Sequence, residues 1–324
     1  MRNAPAEFPT TVNTTHGEVK ATARLRPGRR FPLNNYRAAN IEKAVTRTFR
    51  PPASLEPIML TIGSFFDLAD LPDQELFTDC PHVWEPLKRL KVYIASQTAP
   101  TFQHLCIVDG VPLDSPYIWF NGRLRNAREC IITYGDATKG GLTVWENGQF
   151  LQGASVIMAG AVMVGKNIKI GKGVLIESGA MIKSPTIIGD QSEIRQGAYL
   201  RGNCLIGKRC VVGHATEVKH SIFLNDAKAG HFAYLGDSIL GNRVNLGAGT
   251  KCANLRFFPG NVKVESGGAI LDTGLTKLGA IIGDGSQTGC NAVTSPGTIM
   301  GPDSLLMPNA TAPAGAHPPK SVLR

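Results

Sequence analysis

Ionisable and hydrogen-bonding side chains gather in the second half of the chain. The set comprises one histidine, three cations, one carboxylate and three neutral polar residues: Arg201, Glu217, Lys219, His231, Tyr234, Asn245, Asn254 and Lys263. Histidine exchanges a proton near neutral pH, and guanidinium and ammonium groups bind phosphate oxygens. These residue types serve proton transfer and anion binding.

Structural roles are the alternative for several of these residues. A lone histidine is usually structural, and we interpret His214 and His220 in that way. Glu217 could simply pair with Lys219. The asparagines could occupy corners of a β-structure, because Asn tolerates tight turns.

A six-residue period of aliphatic side chains indicates which structural elements position these residues. Every sixth position is aliphatic in eleven successive cases: Val164, Ile170, Ile176, Ile182, Ile188, Ile194, Leu200, Ile206, Val212, Val218 and Leu224. A strict period of six excludes the 3.6-residue period of an α-helix. It predicts a parallel β-helix, in which stacked coils bury one continuous aliphatic column.

The repeat is disturbed twice, and the polar residues lie close to the disturbances. The spacing shortens to five around Ala229–Leu240, and it stops across 252–278 before resuming at Ile282, Thr288, Thr294, Met300 and Leu306. Long departures from a repeat map to loops on one face, and such loops often carry function.

Four motifs in this region resemble one known family. They are Tyr199-Leu200-Arg201, Thr216-Glu217-Val218-Lys219, the run from Ala229 to Asp237 with its Gly-His-Phe-Ala-Tyr core, and the run from Val244 through Asn254 to Phe257. They resemble the acetyltransferase half of bifunctional sugar-1-phosphate nucleotidylyltransferase/acetyltransferases, and Ala253-Asn254-Leu255-Arg256-Phe257 is closest to the archaeal-type members. The resemblance covers roughly residues 155–310.

The resemblance implies a mainly β fold, a left-handed parallel β-helix of hexapeptide repeats, preceded by a small helical or irregular region. It implies acetyl transfer from acetyl-coenzyme A to the amine of a hexosamine 1-phosphate, in the synthesis of nucleotide sugars of the UDP-N-acetylglucosamine type. The sites would be shared between neighbouring subunits of a homotrimer, and no metal would be needed.

The same resemblance implies roles for individual residues. His231 would be the general base, Arg201 and Lys219 would hold the sugar phosphate, and Lys263 would be a further phosphate contact. The remaining expected contacts are Glu217, Tyr234, Asn245 and Asn254 to the substrate, and Ala248 and Gly249 to coenzyme A.

One part of the resembling enzymes has no counterpart in the motifs. The first 150 residues lack a glycine-rich basic loop that would cradle a triphosphate, and they are too short for the α/β nucleotidylyltransferase domain. We therefore expect no pyrophosphorylase activity from this chain. Gly202-Asn203 also stand where the bacterial pattern has Pro-Gly.

Charge and composition limit the other function classes. The net charge is +9, but residues 1–50 hold ten Lys/Arg against three Glu, so the remainder carries only +2. This argues against nucleic-acid binding by the main body. Seven cysteines without a CxxC pair suggest reduced thiols in the cytoplasm. The basic leader leaves organellar transit as an alternative.

The predicted organisation is a leader at 1–50, a helical region at 51–100, an irregular β lead-in at 101–155, a β-helix at 156–312 with a loop insertion at 252–278, and a tail at 313–324. Two alternative functions stay open. One is a scaffold or sugar-phosphate sensor that partners a separate nucleotidylyltransferase through the helical region. The other is a metal site built from His214, His220 and His231.

Overall fold

The structure is a computed structural model that describes residues 58–98 and 108–324, and its main body is a parallel β-helix. The predicted fold class is thereby confirmed. The basic leader at 1–50 lies outside the described residues. No described helix is long and apolar enough to span a membrane.

Three parallel sheets form the walls of the β-helix, and each coil contributes one strand to each sheet. Sheet 1 contains Ser155–Ile157, Leu175–Ile176, Glu193–Ile194, Val211–His214, Lys228–His231, Asn245–Leu246, Gln287–Thr288, Leu305–Leu306 and Val322–Leu323. Sheet 2 contains Val162–Val164, Met181–Lys183, Tyr199–Leu200, Glu217–Lys219, Tyr234–Gly236, Lys251–Cys252, Val293–Thr294 and Thr311–Ala312. Sheet 3 contains Ile168–Ile170, Thr186–Ile188, Cys204–Ile206, Ile222–Phe223, Ile239–Leu240, Ala280–Ile282, Thr298–Met300 and Gly315–His317.

The predicted aliphatic column fills the interior. On sheet 2, Ile182, Leu200, Val218, Leu235 and Cys252 lie in register on successive coils, and all are fully buried. Neighbouring parallel strands are about 4.8 Å apart, so each side chain covers the next. Full burial of such a side chain contributes roughly 1.5–3 kcal/mol.

Two members of the predicted column are placed wrongly by the strict period of six. The coil length falls from 18 residues, as between Leu200 and Val218, to 17, as between Val218 and Leu235. The shorter coil has one residue fewer at the corner between sheets 2 and 3. Phe223 therefore takes the interior position, and Leu224 packs outside the coil.

At the start of the repeat the column is also shifted by one residue. Met163 stacks on Ile182 and is buried in the interior cluster, whereas Val164 pairs with the outward Lys183. The first coil is longer than 18 residues, since Met163 and Ile182 are 19 apart. A strict six-residue count back from Ile182 omits this extra residue, and it therefore selects Val164 in place of Met163.

A cap formed by residues 58–98 covers the outer face of sheet 3. It contains the helix α1, Glu85–Gln97, and two 3₁₀ turns, Ile62–Ser64 and Gln74–Phe77. Pro86 suits the first turn of α1, where its missing N–H costs no helical hydrogen bond. The buried side of α1 packs in one cluster with the outward row of sheet 3, which includes Leu205, Ile222 and Ile239.

Polar contacts fix the cap on the corner between sheets 3 and 1. The Asp284 carboxylate accepts hydrogen bonds from the Asp67 backbone N–H at 2.9 Å and from the Asn242 backbone N–H at 2.7 Å. The Asn242 amide donates to the Asp67 carbonyl at 2.8 Å. Because these buried polar groups are hydrogen-bonded, their burial costs little free energy of folding. The same bonds fix the position of the cap.

The β lead-in is antiparallel and joins the first coil. Tyr117–Phe120 pairs with Arg123–Asn126 and with Ser155–Ile157, so it extends sheet 1. Three further strands form a small separate sheet: Cys130–Tyr134, Leu142–Glu146 and Gln149–Phe150, with a 3₁₀ turn at Ala137–Lys139.

The predicted insertion is an excursion of residues 253–279 that leaves the β-helix after sheet 2 and returns at sheet 3. It contains the hairpin Lys263–Ser266 and Ala269–Asp272. Its buried residues Val262 and Val264 belong to the same apolar cluster as the cap. At the other end, the segment that the sequence assigned to a tail continues the stack, because Gly315–His317 and Val322–Leu323 pair with the preceding coils.

The six described cysteines are free. Cys204, Cys210 and Cys252 lie in the interior of the β-helix. Burial raises the pKa of Cys204 and Cys210 to about 12 and that of Cys252 to about 11. These three thiols stay protonated at neutral pH and serve as small apolar side chains.

The shifted column leads to a prediction about stability. Phe223→Ala should lower the free energy of unfolding by about 3–5 kcal/mol, because it opens a cavity inside the stack. The matched control is Leu305→Ala, on the outer face of sheet 1 with 41% of the residue exposed, which should cost less than about 1 kcal/mol. Urea unfolding followed by circular dichroism measures both. Equal losses would contradict the assignment of Phe223 to the interior.

Candidate functional site

The outer face of sheet 2 carries most of the polar residues that the sequence singled out. Tyr199, Glu217, Tyr234 and Lys251 stack in register on four successive coils. Side chains two positions apart on a strand share a face. Arg201 and Lys219 therefore form a second outward row beside the first.

Two cations of this face are each paired with a carboxylate, whereas Lys251 Nζ donates to the Gly249 carbonyl at 2.8 Å. Arg201 Nη1 lies 2.8 Å from Glu217 Oε1, and Lys219 Nζ lies 2.9 Å from Asp237 Oδ2. The alternative that Glu217 pairs with Lys219 is therefore wrong. The cross-coil partner is preferred because the neighbouring coil is only about 4.8 Å away.

Asp237 is the centre of a hydrogen-bond network. Its carboxylate also accepts from His220 Nδ1 at 2.9 Å and from the Asn254 amide nitrogen, and only 6% of the residue is exposed. The Tyr234 hydroxyl donates to Asn254 Oδ1 at 3.2 Å. One buried carboxylate thus connects side chains from three successive coils.

The donors around Asp237 keep it ionised. Burial by itself raises the pKa of this carboxyl group, but the hydrogen bonds from His220, Lys219 and Asn254 and the charge of Lys219 lower the pKa overall. A buried carboxylate with three donors is well compensated. Asp237 is therefore an anion at neutral pH.

The backbone explains why His220 meets Asp237. Asn203, His220 and Asp237 take left-handed conformations, with φ of 51°, 47° and 47°, at the corner between sheets 2 and 3. Asn, Asp and His are the side chains that tolerate this region best. Because the coil length here is 17 residues, these three positions are successive in the stack.

His231 lies at the opposite edge of sheet 2, at the corner between sheets 1 and 2. It pairs in the strand register with His214, and its exposed ring contacts Phe232. The His214 ring Nδ1 lies 2.9 Å from the Gln196 carbonyl. In the part of the chain that the structure describes, the His231 ring has no hydrogen-bond partner, so both nitrogens are available to a ligand.

Backbones approach closely beneath the two histidines. A side chain on Gly213 would overlap the carbonyl of Gly230 on the next coil. The residues expected to contact coenzyme A also stack here, since the Gly249 N–H donates to the His231 carbonyl at 3.0 Å. Ala248 and Gly249 therefore lie next to His231.

Asn245 and Lys263 are not brought into the network. Asn245 lies exposed on the outer face of sheet 1, in register with Lys228 and Gln287. Lys263 is exposed on the hairpin of the excursion. In the described part of the chain, neither side chain forms a hydrogen bond or an ion pair with Asp237 or Tyr234.

A largely apolar groove begins next to Asn254. It has a volume of about 530 Å³ and lies between the excursion and the following coils of sheet 2. Its lining includes Leu255, Phe257, Phe258, Val293 and Pro296, with the cations Arg256 and Lys263 at the same groove. Phe257 is fully exposed.

The three histidines of the metal hypothesis do not converge. His214 and His231 share sheet 1, whereas His220 lies at the corner between sheets 2 and 3 and donates to Asp237. Among the described residues, no group of three or more His, Cys, Asp or Glu is arranged to hold a metal ion.

Sequence reasoning missed two members of the site. Asp237 stood in the quoted motif without an assigned role, and His220 was interpreted as structural. The signal that could have found them is the 17-residue interval between a His and an Asp that each follow a strand. That interval becomes meaningful only once the local coil length is known.

Comparisons with known proteins find matches over the part of the chain that carries the candidate site. The family model described as GMPPB C-terminal domain matches residues 182–276, which include all eight polar residues named from the sequence. The bifunctional sugar-1-phosphate nucleotidylyltransferase/acetyltransferase of Sulfurisphaera tokodaii is 43% identical over 94 residues, 29% of this chain and 23% of that protein. The bifunctional protein GlmU of Methanocaldococcus jannaschii is 41% identical over 86 residues, 26% of this chain and 21% of that protein.

These matches confirm the predicted resemblance to bifunctional enzymes of this type. The chain spans under a quarter of the length of these curated relatives. A solved structure, the Francisella novicida UDP-N-acetylglucosamine acyltransferase, aligns with 49% of this chain and 60% of its own at 17% identity. The TM-score of 0.23 is too low for that alignment to carry an argument.

The Asp237 network predicts a pH dependence of stability. Because folding lowers the pKa of Asp237, its contribution to stability is present above the pKa of the unfolded state and is lost as the pH falls through the folded pKa. The difference in unfolding free energy between the wild type and Asp237→Asn should be largest near pH 6 and should shrink below pH ~4. Urea unfolding at several pH values measures it, and a constant difference would contradict the prediction.

Proposed function

We propose that this protein is an N-acetyltransferase that moves an acetyl group from acetyl-coenzyme A to the amine of a hexosamine 1-phosphate. The observation that carries the proposal is the outer face of sheet 2. Two cations suited to phosphate, Arg201 and Lys219, share that face with Tyr234 and Asn254, and His231 lies at its edge with both ring nitrogens free. The name of the Sulfurisphaera tokodaii relative includes acetyltransferase activity.

In this proposal, some side chains bind the substrate and one transfers a proton. Arg201 exchanges its partner Glu217 for the phosphate, Lys219 donates a further N–H to the phosphate while it stays bonded to Asp237, and Tyr234 and Asn254 orient the sugar by hydrogen bonds. His231 removes a proton from the substrate ammonium, so that the nitrogen lone pair becomes available. The nitrogen attacks the thioester carbonyl and forms a C–N bond, and the C–S bond then breaks. The second proton of the attacking nitrogen passes to the departing thiolate, and His231 returns its proton to solvent.

The positions of Asn245 and Lys263 support a site that is shared between chains. Both residues belong to the expected site, yet within one chain neither is hydrogen-bonded to the Asp237 network. A second copy could bring them to the substrate. We therefore propose a homotrimer whose sites lie between subunits, with Ala248 and Gly249 contacting coenzyme A beside His231.

The scaffold alternative depended on the helical region as a docking surface. The apolar side of that region, which includes Leu87, Leu90 and Ile94, is buried against sheet 3. An apolar docking surface on the cap is therefore already used within the chain. This observation favours acetyl transfer over a scaffold.

The proposed chemistry predicts the effect of removing His231. The wild type should release coenzyme A thiol from acetyl-coenzyme A in the presence of glucosamine 1-phosphate or galactosamine 1-phosphate. His231→Ala should reduce kcat about 10²–10⁴-fold, since it removes the proton acceptor. A thiol-reactive dye measures the release.

His214→Ala is the matched control, because His214 neighbours His231 in the stack but is bonded to the Gln196 carbonyl. It should keep most of the turnover. Sedimentation velocity on all three proteins should give the same trimer. A folded wild-type trimer without turnover on either sugar would eliminate these two substrates.

A further inference from the structure

His220 is held at one nitrogen and free at the other. Nδ1 is hydrogen-bonded to Asp237 Oδ1, and the described part of the chain offers no partner to Nε2. The side chain keeps 22% of its surface exposed. A histidine fixed by a carboxylate at Nδ1 presents Nε2 in a defined orientation.

Asp237 holds His220 and Lys219 with separate oxygens of one carboxylate. Oδ1 binds His220 and Oδ2 binds Lys219, which is the preceding residue in the chain. The Asp237 backbone N–H also donates to the Lys219 carbonyl at 2.9 Å. The two basic side chains are therefore oriented as a unit and not separately.

The two cations nearest to His220 are already bonded to carboxylates. Arg201 is paired with Glu217 and Lys219 with Asp237, so a phosphate at this point would gain from a further donor. A phosphate monoester carries a charge between −1 and −2 at neutral pH. A histidine ring that carries both protons donates an N–H from Nε2 as well as from Nδ1.

We propose that His220 is a further phosphate-binding residue of this site and that Asp237 positions it together with Lys219. The proposal rests on the proposed function in one respect: it takes the phosphate of the amino-sugar substrate as the ligand. Nε2 of His220 donates to a phosphate oxygen, while Asp237 keeps the ring and the Lys219 ammonium turned toward the same anion.

Two substitutions of His220 test the roles of Nδ1 and Nε2 separately. His220→Asn places an amide near the position of Nδ1, tolerates the left-handed backbone, and removes Nε2. His220→Gln places an amide nearer to Nε2 and loses the bond to Asp237. Asp226→Asn is the control, because Asp226 forms an ion pair of 2.7 Å with Arg209 at a different corner.

Binding is measured by isothermal titration calorimetry without acetyl-coenzyme A, with glucosamine 1-phosphate, glucosamine and inorganic phosphate as probes. His220→Asn should raise the Kd for glucosamine 1-phosphate and for inorganic phosphate about tenfold or more, as loss of a charge-assisted hydrogen bond does. His220→Gln should recover part of this affinity. Glucosamine binding and the Asp226→Asn variant should be unchanged.

Turnover assays run in parallel distinguish the two proposals. A tenfold higher KM for His220→Asn with little change in kcat supports phosphate binding, whereas wild-type affinity for phosphate in both His220 variants overturns it. Wild-type turnover with an unchanged KM in His220→Asn would overturn the role of His220 and leave acetyl transfer intact. Phosphate binding that depends on His220, without turnover by the wild type, would overturn acetyl transfer alone.

Discussion

The backbone hydrogen bonds between successive coils are the constraint on which the structure depends. They fix each strand at about 4.8 Å from the next and in a set register, so a residue meets the side chain 17 or 18 positions further along. The contacts of Asp237 follow from this rule, whereas Arg201–Glu217 and Tyr234–Asn254 join side chains 16 and 20 residues apart on neighbouring coils. Lys219 and Asp237 are 18 residues apart, and His220 and Asp237 are 17 apart. Most polar groups of the candidate site are thus arranged by stacking, and Asn254 joins them from the first turn of the excursion.

The cap and the excursion extend this arrangement to one side of the stack. The cap buries the outer row of sheet 3, and its polar contacts to Asn242 and Asp284 fix it against the corner. The excursion leaves the β-helix beside Asn254, and its buried residues join the apolar cluster of the cap. Because one cluster holds both elements, the cap supports the loop that borders the candidate site. Sheets 1 and 2 keep their outer faces open around His231.

Ion pairs fix the side-chain positions on the open face of sheet 2 when no ligand is bound. Arg201 and Lys219 each have a carboxylate partner, and the almost fully buried Asp237 accepts hydrogen bonds from three side chains. Half-exposed ion pairs such as Arg201 with Glu217 contribute little to stability, and a ligand can replace them at small cost. A buried carboxylate is different, because removing one partner leaves an uncompensated charge. The face therefore combines a replaceable pair with a rigid centre.

The sequence by itself determined the β-helix, most of its interior column, the excursion and the identity of the polar residues. Those features depend on local spacing and residue type, which a period of six displays directly. Only the tertiary structure decided that Phe223 and not Leu224 points inward, that Glu217 binds Arg201, and that His220 joins Lys219 and Asn254 at Asp237. The physical reason is that partners across coils depend on the length of each coil. Loss of one residue at a corner changes every partner beyond it, and that loss leaves almost no trace in the local sequence.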